Sequence, residues 1–294
     1  MPGAHFSLHQ PASLAEAMDL LSAHRSSVRL LAGGTDLVPK LKAGALAAQH
    51  LVSLRWIPGL DEVRFSPKEG LVIGGAARLV QVADLPEARA LYPALAQACS
   101  VMATTQIRNM GSVAGNIANA APSADTAAPL LIYDAEVEAV SRQGGRRIAM
   151  ADFFAGPGLS VLEPGEIIVA VRAPAPRPGS ASQYLRLSAR SQVDIAAVGV
   201  AGLVVLGPDG RVAHCRLALS AVAPTPLRCR QAEDLLIGQA PEPKLLDQAA
   251  AAAAAICCPI DDVRASAAYR LAMAEVLARR VLRHCVERAQ GGVE

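Results

Sequence analysis

Aromatic side chains are scarce in this sequence of 294 residues, which holds one Trp, four Tyr and four Phe. So few flat rings exclude a surface that stacks successive bases. A charge excess is also missing. The net charge of +2 speaks against a strongly basic nucleic-acid binder. The longest apolar run, seven alanines from Ala249 followed by Ile-Cys-Cys-Pro-Ile, falls short of the ~20 residues a membrane helix needs. Met1-Pro2-Gly3-Ala4-His5 shows no basic region followed by an apolar core, so no secretory signal is expected and the protein is read as soluble and cytoplasmic. The six cysteines (Cys99, Cys215, Cys229, Cys257, Cys258, Cys285) form no C-x-x-C pair. They read as small buried hydrophobes of a reducing compartment, with no metal ligand set among them. No Ser-His-Asp or paired-carboxylate arrangement marks a hydrolytic centre.

What is present is a globular composition, 52% apolar and 18% charged, long enough for two or three subdomains. Two glycine-bearing segments stand out. The first is Leu30-Leu31-Ala32-Gly33-Gly34-Thr35-Asp36-Leu37, where a strand-like run breaks into two glycines. The second runs from Thr104 through Gly111-Ser112-Val113-Ala114-Gly115-Asn116-Ile117-Ala118 to Ala124-Asp125-Thr126. Each alone reads first as a tight turn. Together they are two cradles whose N–H groups can hold one diphosphate between them. Neither is G-x-G-x-x-G, so a Rossmann NAD site matches poorly. No histidine or cysteine lies in either cradle, so a dinucleotide held there is expected to be bound without a covalent link.

Along the chain, Ser13-Leu14-Ala15-Glu16 is a capping box that starts a helix running to about Ala23. Strands are expected at Val28–Ala32 and Gln49–Leu54, with a hairpin at Val63–Phe65 and Leu71–Gly74. Helices follow near Val80–Asp84 and Pro93–Met102, and a further one from Thr126 to Tyr133, with Asp125 where a cap would sit. Glu136–Val140 and Arg146–Ala149 read as strands joined at Gly144-Gly145. Pro174, Pro176, Pro178 and Gly179 mark a domain boundary. Beyond it, Ser182–Leu187, Ala196–Leu206 and Val212–Ala221 read as antiparallel strands. Helices near Gln231–Ile237, Leu245–Ile256 and Ser266–Glu287 should pack on them.

Five segments in order resemble the flavoprotein subunit of the xanthine dehydrogenase and carbon monoxide dehydrogenase family of molybdenum hydroxylases. They are the two cradles, Phe153–Gly158 with Glu163–Ile168, Arg190 with Asp194-Ile195-Ala196, and Asp262–Arg270. The resemblance implies an α+β fold: a two-subdomain FAD-binding domain of the vanillyl-alcohol oxidase type (residues 1–58 and 59–176), then a C-terminal α/β domain with an antiparallel sheet (177–294). It implies FAD on Leu30, Leu31, Ala32, Gly33, Gly34, Thr35, Asp36 and Leu37 and on Gly111, Ser112, Gly115, Asn116, Ala118 and Ala124. Asp125 would take ribose hydroxyls, the alternative being a helix cap. Ile167 and Ile168 would lie against the isoalloxazine ring, the alternative being ordinary strand core. Arg186 would stand near the ring, or be a surface arginine. Val113-Ala114-Gly115 departs from the two glycines common in relatives, so Ala114 must keep a negative φ. No cysteine-rich insertion exists for an extra cluster in this subunit.

The function so implied is electron transfer. Electrons would come from iron–sulfur clusters on a small subunit, whose partner is a large subunit carrying a molybdopterin-type molybdenum cofactor, as a dimer of heterotrimers. They would leave through FAD to an external acceptor. The rival readings are a self-contained flavin oxidase of the same fold and a scaffold that has lost its flavin.

Overall fold

The computed structural model describes residues 5–190 and 193–291; Met1–Ala4, part of the stretch read for a signal, lie outside them. Three main sheets follow one another along the chain. The first is parallel, with the strand His50–Ser53 between Ser7–His9 and Val28–Leu31. The helix Leu14–His24 supplies the crossover between the outer two. Ser13 caps it, its Oγ accepting from Glu16 N at 3.2 Å, while Glu16 Oε2 reaches one residue beyond the reciprocal position of a capping box, to Ala12 N at 2.8 Å.

The second sheet is antiparallel, in the order Val63–Ser66, Gly70–Gly74, Ile167–Ala173, Glu136–Ser141, Gly144–Ala149. Its central strand, Ile167–Ala173, arrives last in sequence and completes the sheet between two elements made long before it. The turn expected at Gly144-Gly145 falls instead at Arg142-Gln143, because Ser141 pairs directly with Gly144 and both glycines sit in the strand. The segment expected as a loop around the second cradle contains two short helices. Thr104 caps Thr105–Arg108 and Ser112 caps Val113–Ala118, their hydroxyls accepting from Ile107 N (3.2 Å) and Gly115 N (3.0 Å). Ala114 therefore keeps the negative φ its Cβ requires.

The third sheet joins Ala181–Ser188, Ala196–Leu206, Val212–Ser220 and the short Leu227–Arg228, all antiparallel. The helices Arg230–Leu236, Pro243–Ala255 and Ala267–Ala289 accompany it. The alanine run is the close-packed element its composition indicates. Leu246, Ala249, Ala250 and Ala253 are buried at helical spacing in one core with Leu277, Val281 and Cys285 of the last helix. Cys99, Cys215, Cys229 and Cys285 are buried, whereas Cys257 is half-buried and Cys258 exposed, and all six are free thiols. The reading of every cysteine as buried therefore fails at the last residues before Pro259, where the alanine helix has already ended.

Three of the four tyrosines use their hydroxyls as pins. Tyr92 Oη accepts from Leu71 N (3.0 Å) and reaches Ala173 O (3.2 Å) and Pro174 O (3.0 Å). Burial pushes its pKa up to about 12. Tyr133 Oη bonds Ser182 Oγ at 2.6 Å, across to the third sheet. The core of the second sheet runs on into the third through Tyr184, Ala201, Leu203 and Ala218.

The segment Asp262–Arg270 is held by one carboxylate. Asp262 accepts from Arg264 N (2.8 Å), Arg264 Nη1 (2.9 Å), Ala265 N (3.3 Å) and Arg270 Nη2 (2.7 Å). Arg270, itself buried, donates onward to Ala197 O and Ala221 O. The backbone N–H of Arg264, then the two guanidiniums, lower the Asp262 pKa to about 2 from its ordinary 3.8. Arg270 is buried while Asp262 is half-buried; a hydrogen bond to a charged group contributes about 1.5–3 kcal/mol, and Arg270→Ala is expected to show a loss of at least that size in urea unfolding. A depressed carboxyl stabilises above its unfolded pKa and ceases to as pH falls through the folded one. Asp262→Asn should therefore lower the unfolding midpoint at pH 7, and the gap from wild type should close as pH falls from about 4 towards about 2.

Candidate functional site

A cleft of about 720 Å³ lies where the first two sheets and the third meet. All eight residues of the first cradle, Leu30 to Leu37, line it. Gly111, Ser112, Gly115, Asn116 and Ala118 line the opposite side, with Ala124, Asp125 and Ile168. Residues more than 130 positions apart thus meet in one cavity. A smaller hollow of about 260 Å³ shares Ala32 and Gly33 and is bounded by Arg55, Trp56, Arg78 and Met110.

The two cradles touch. A Cβ on Gly33 would lie 2.0 Å from the Met110 carbonyl oxygen and 2.8 Å from Gly111 Cα. Glycine is needed here first for backbone to meet backbone. Gly34 has φ +72° and a Cβ there would meet Leu31 Cδ1 at 2.8 Å, so the turn itself also calls for glycine. The N–H groups of this turn precede the first bond of the helix Leu37–Lys42, Val38 N to Gly34 O at 2.9 Å. Such leading N–H groups have no partner within a helix and are suited to an anion. Lys40 Nζ donates to Asn119 Oδ1 at 2.6 Å and closes the cradles on one side. Leu79 N donates to Gly111 O at 2.9 Å and anchors the second cradle to the helix Leu79–Asp84. Asn116 is turned inward, its Oδ1 accepting from Thr126 Oγ1 at 2.6 Å.

Asp125 does not cap a helix. The next helix, Ala127–Ile132, has Thr126 at its N-cap with no side-chain bond. Asp125 instead accepts from Tyr184 Oη at 2.6 Å and pairs with Arg186 Nε at 3.3 Å, all three side chains being buried. Burial raises the carboxyl's pKa, while the Arg186 charge and the Tyr184 hydrogen bond pull it back down. Arg186 is neither on the surface nor a lining residue. Its guanidinium is spent on Asp125, on the Asp194 carbonyl and on Val101 O.

Ile167 and Ile168 part company because neighbouring strand residues point to opposite faces. Ile168 lines the cleft, whereas Ile167 is fully buried with Ala17, Leu21 and Val28 in the core of the first sheet. Sequence reading missed Lys40, Asn119, Val193, Asp194 and Ile195 as lining residues. The last two lie in the segment whose likeness to relatives was visible, but nothing in its pattern placed it beside a cavity.

The site fits a dinucleotide. Its volume lies within the roughly 300–1,000 Å³ of small-molecule sites. Its middle is bare backbone from two glycine turns, and no cysteine or histidine is among the described lining residues. The Asp125–Tyr184 bond gives a direct test. Tyr184→Phe leaves a buried carboxylate one donor short, which costs about 1–3 kcal/mol. Denaturant unfolding is expected to show a loss in that range with the cooperativity of the transition unchanged.

Residues 4–176 match the family described as the FAD binding domain in molybdopterin dehydrogenase, and residues 183–285 match the CO dehydrogenase flavoprotein C-terminal domain. The chain is 36% identical to the carbon monoxide dehydrogenase medium chain of Hydrogenophaga pseudoflava, over 94% of this chain and 96% of that one. It is 33% identical to the xanthine dehydrogenase FAD-binding subunit of Escherichia coli O157:H7, over 98% of each. Among solved structures, it superimposes with a TM-score of 0.94, at 35% identity and covering 98% of this chain and 99% of that one, on carbon monoxide dehydrogenase from Hydrogenophaga pseudoflava lacking the Mo-pyranopterin moiety of its cofactor. Among the described residues, no helix is long and apolar enough to cross a membrane. The chain belongs to the FAD-binding medium subunits of the xanthine and carbon monoxide dehydrogenase family, oxidoreductases of the molybdenum hydroxylase class.

Proposed function

We propose that this chain is the electron-transfer subunit of a cytoplasmic molybdenum hydroxylase, and that the cleft between its two glycine turns holds one non-covalent FAD. The single observation that carries this reading is that cleft, in a chain that aligns almost end to end with FAD-binding subunits. Ala32, Gly33, Gly34, Thr35 and Asp36, with Gly111, Ser112, Gly115 and Asn116, would hold the diphosphate. Leu30, Leu31, Leu37, Ala118 and Ala124 would line its path, Asp125 would face a sugar and Ile168 the ring. Bound FAD supplies the exchange of single electrons for pairs. The protein's own part is to fix the dinucleotide, exclude water with Ile168 and its neighbours, and keep a buried Asp125–Arg186 pair behind the site. Arg186 acts here by positioning Asp125.

The partners in this reading are a small subunit with iron–sulfur clusters and a large subunit with the molybdenum cofactor, arranged as a dimer of heterotrimers over the units 1–58, 59–176 and 177–294 of this chain. The near-complete alignment with subunits favours this over a self-contained oxidase, which would need residues of its own for a substrate.

The structure ranks the glycines by what a Cβ would strike. At Gly33 it strikes backbone at 2.0 Å, while at Gly115 it meets only the Ser112 hydroxyl at 2.9 Å. Titration of apoprotein with FAD should show Gly33→Ala weakening binding at least about tenfold more than Gly115→Ala does, a gap of at least about 1.4 kcal/mol. Equal affinities would misplace the cradles. In a second test, the FAD-loaded chain alone should accept electrons from dithionite yet oxidise no organic substrate, with turnover appearing when both partner chains are added. Turnover by the lone chain at an ordinary enzymatic rate would replace the subunit reading with that of an oxidase.

A further inference from the structure

Outside the cleft, three of the six histidines converge on the first sheet. His9 ends the strand Ser7–His9, His50 begins the central strand, and His24 is the last residue of the crossover helix. In the parallel register Ser7 lies opposite His50. With side chains alternating between faces, His9 and His50 share one face of the sheet on a diagonal. The end of the helix brings His24 over the same face. His9 Nε2 lies 3.0 Å from His50 Nδ1, and the rings of His24 and His50 stack with centroids 3.6 Å apart. One nitrogen from each of the three rings lies within 4.8 Å of the other two, and all three residues are half-buried.

We propose that His9, His24 and His50 form a binding site for one divalent transition cation, with Zn²⁺ the archetype. Three imidazoles on three separate elements supply the neutral nitrogen donors that borderline cations prefer, while Mg²⁺ and Ca²⁺ require oxygen. Half-exposure leaves the remaining coordination position to water. The ring hydrogen bond between His9 and His50 is the contact a cation replaces, and rings at the surface turn to meet it without disturbing the core. The three ligands meet only when the first strand, the crossover helix and the central strand are assembled, so binding stabilises the folded first sheet. The site shares no residue with the cleft, and it stands whether or not the reading of the cleft as an FAD site holds.

The test uses full-length, tag-free protein carrying its native flavin, stripped of metal with a chelator. Isothermal titration with ZnCl₂ is expected to show one equivalent bound at about micromolar affinity or tighter and a raised unfolding midpoint, with no heat from MgCl₂. His24→Ala and His50→Ala should each weaken Zn²⁺ binding at least about tenfold, with flavin content and circular dichroism unchanged. Changing Cys257 and Cys258 together to Ser should leave binding intact. Cu²⁺ bound to the unaltered protein should show imidazole nitrogen splitting in its electron paramagnetic resonance spectrum, which keeps the test open if a histidine variant folds poorly. Absence of Zn²⁺ binding, binding undiminished in both histidine variants, binding lost with the cysteines, or a Cu²⁺ spectrum without nitrogen splitting would each overturn the proposal.

Discussion

The cleft exists because two turns from different sheets meet through bare backbone. Gly33 faces the Met110 carbonyl with no room for a single carbon between them. Every larger side chain would wedge the first sheet away from the helices of the second. The glycine pair thus sets the width of a cavity whose walls are otherwise ordinary apolar packing. The Lys40–Asn119 bond ties the same two turns together, and the Arg78–Ser112 bridge holds the second turn in place. In the proposed FAD site, the spacing of the diphosphate donors would be decided by steric contact between turns before any ligand arrives.

Behind that contact the few aromatic residues carry a disproportionate share of the polar wiring. Tyr92, Tyr133 and Tyr184 each bury a ring and spend the hydroxyl on a group from another element. A buried hydroxyl without a partner is expensive, so each such bond rejects alternative packings as well as stabilising this one. Tyr184 and Arg186 lie two apart on one strand of the third sheet and both reach Asp125, a buried residue of the cleft wall. The third sheet is thereby part of the site although it contributes little lining of its own.

Much of this was legible in the amino-acid order, and the exceptions have physical reasons. Both cradles, the helix cap at Ser13 and the antiparallel C-terminal strands are local signals, set by glycine, by serine spacing and by apolar periodicity. The central strand Ile167–Ala173 was not recognised as the middle of a sheet, because its place there depends on partners far away in the chain. Ile167 and Ile168 read alike in sequence, yet strand geometry sends one to the cleft and the other to a different core. Arg186 and Asp125 had surface and capping alternatives that only long-range pairing could remove. The two short helices at Thr105 and Val113 were hidden by their glycines and asparagines, although Thr104 and Ser112 carried a capping signal. The histidines were invisible as a group because each sits alone in its own element.

The cores on the two sides of the cleft are very unequal. The first sheet closes over eight buried hydrophobic residues among those described, while the second and third sheets share one of 36. Local opening free energy follows buried apolar contact, so the two walls differ in how readily they come apart. The second and third sheets form a fixed anvil, and the first sheet with its Gly33 turn is the part that can lift. A dinucleotide lying between them would rivet the weaker wall to the stronger. Slowed amide exchange on loading should then concentrate in the strands Val28–Leu31 and His50–Ser53, while the third sheet, already protected, changes little.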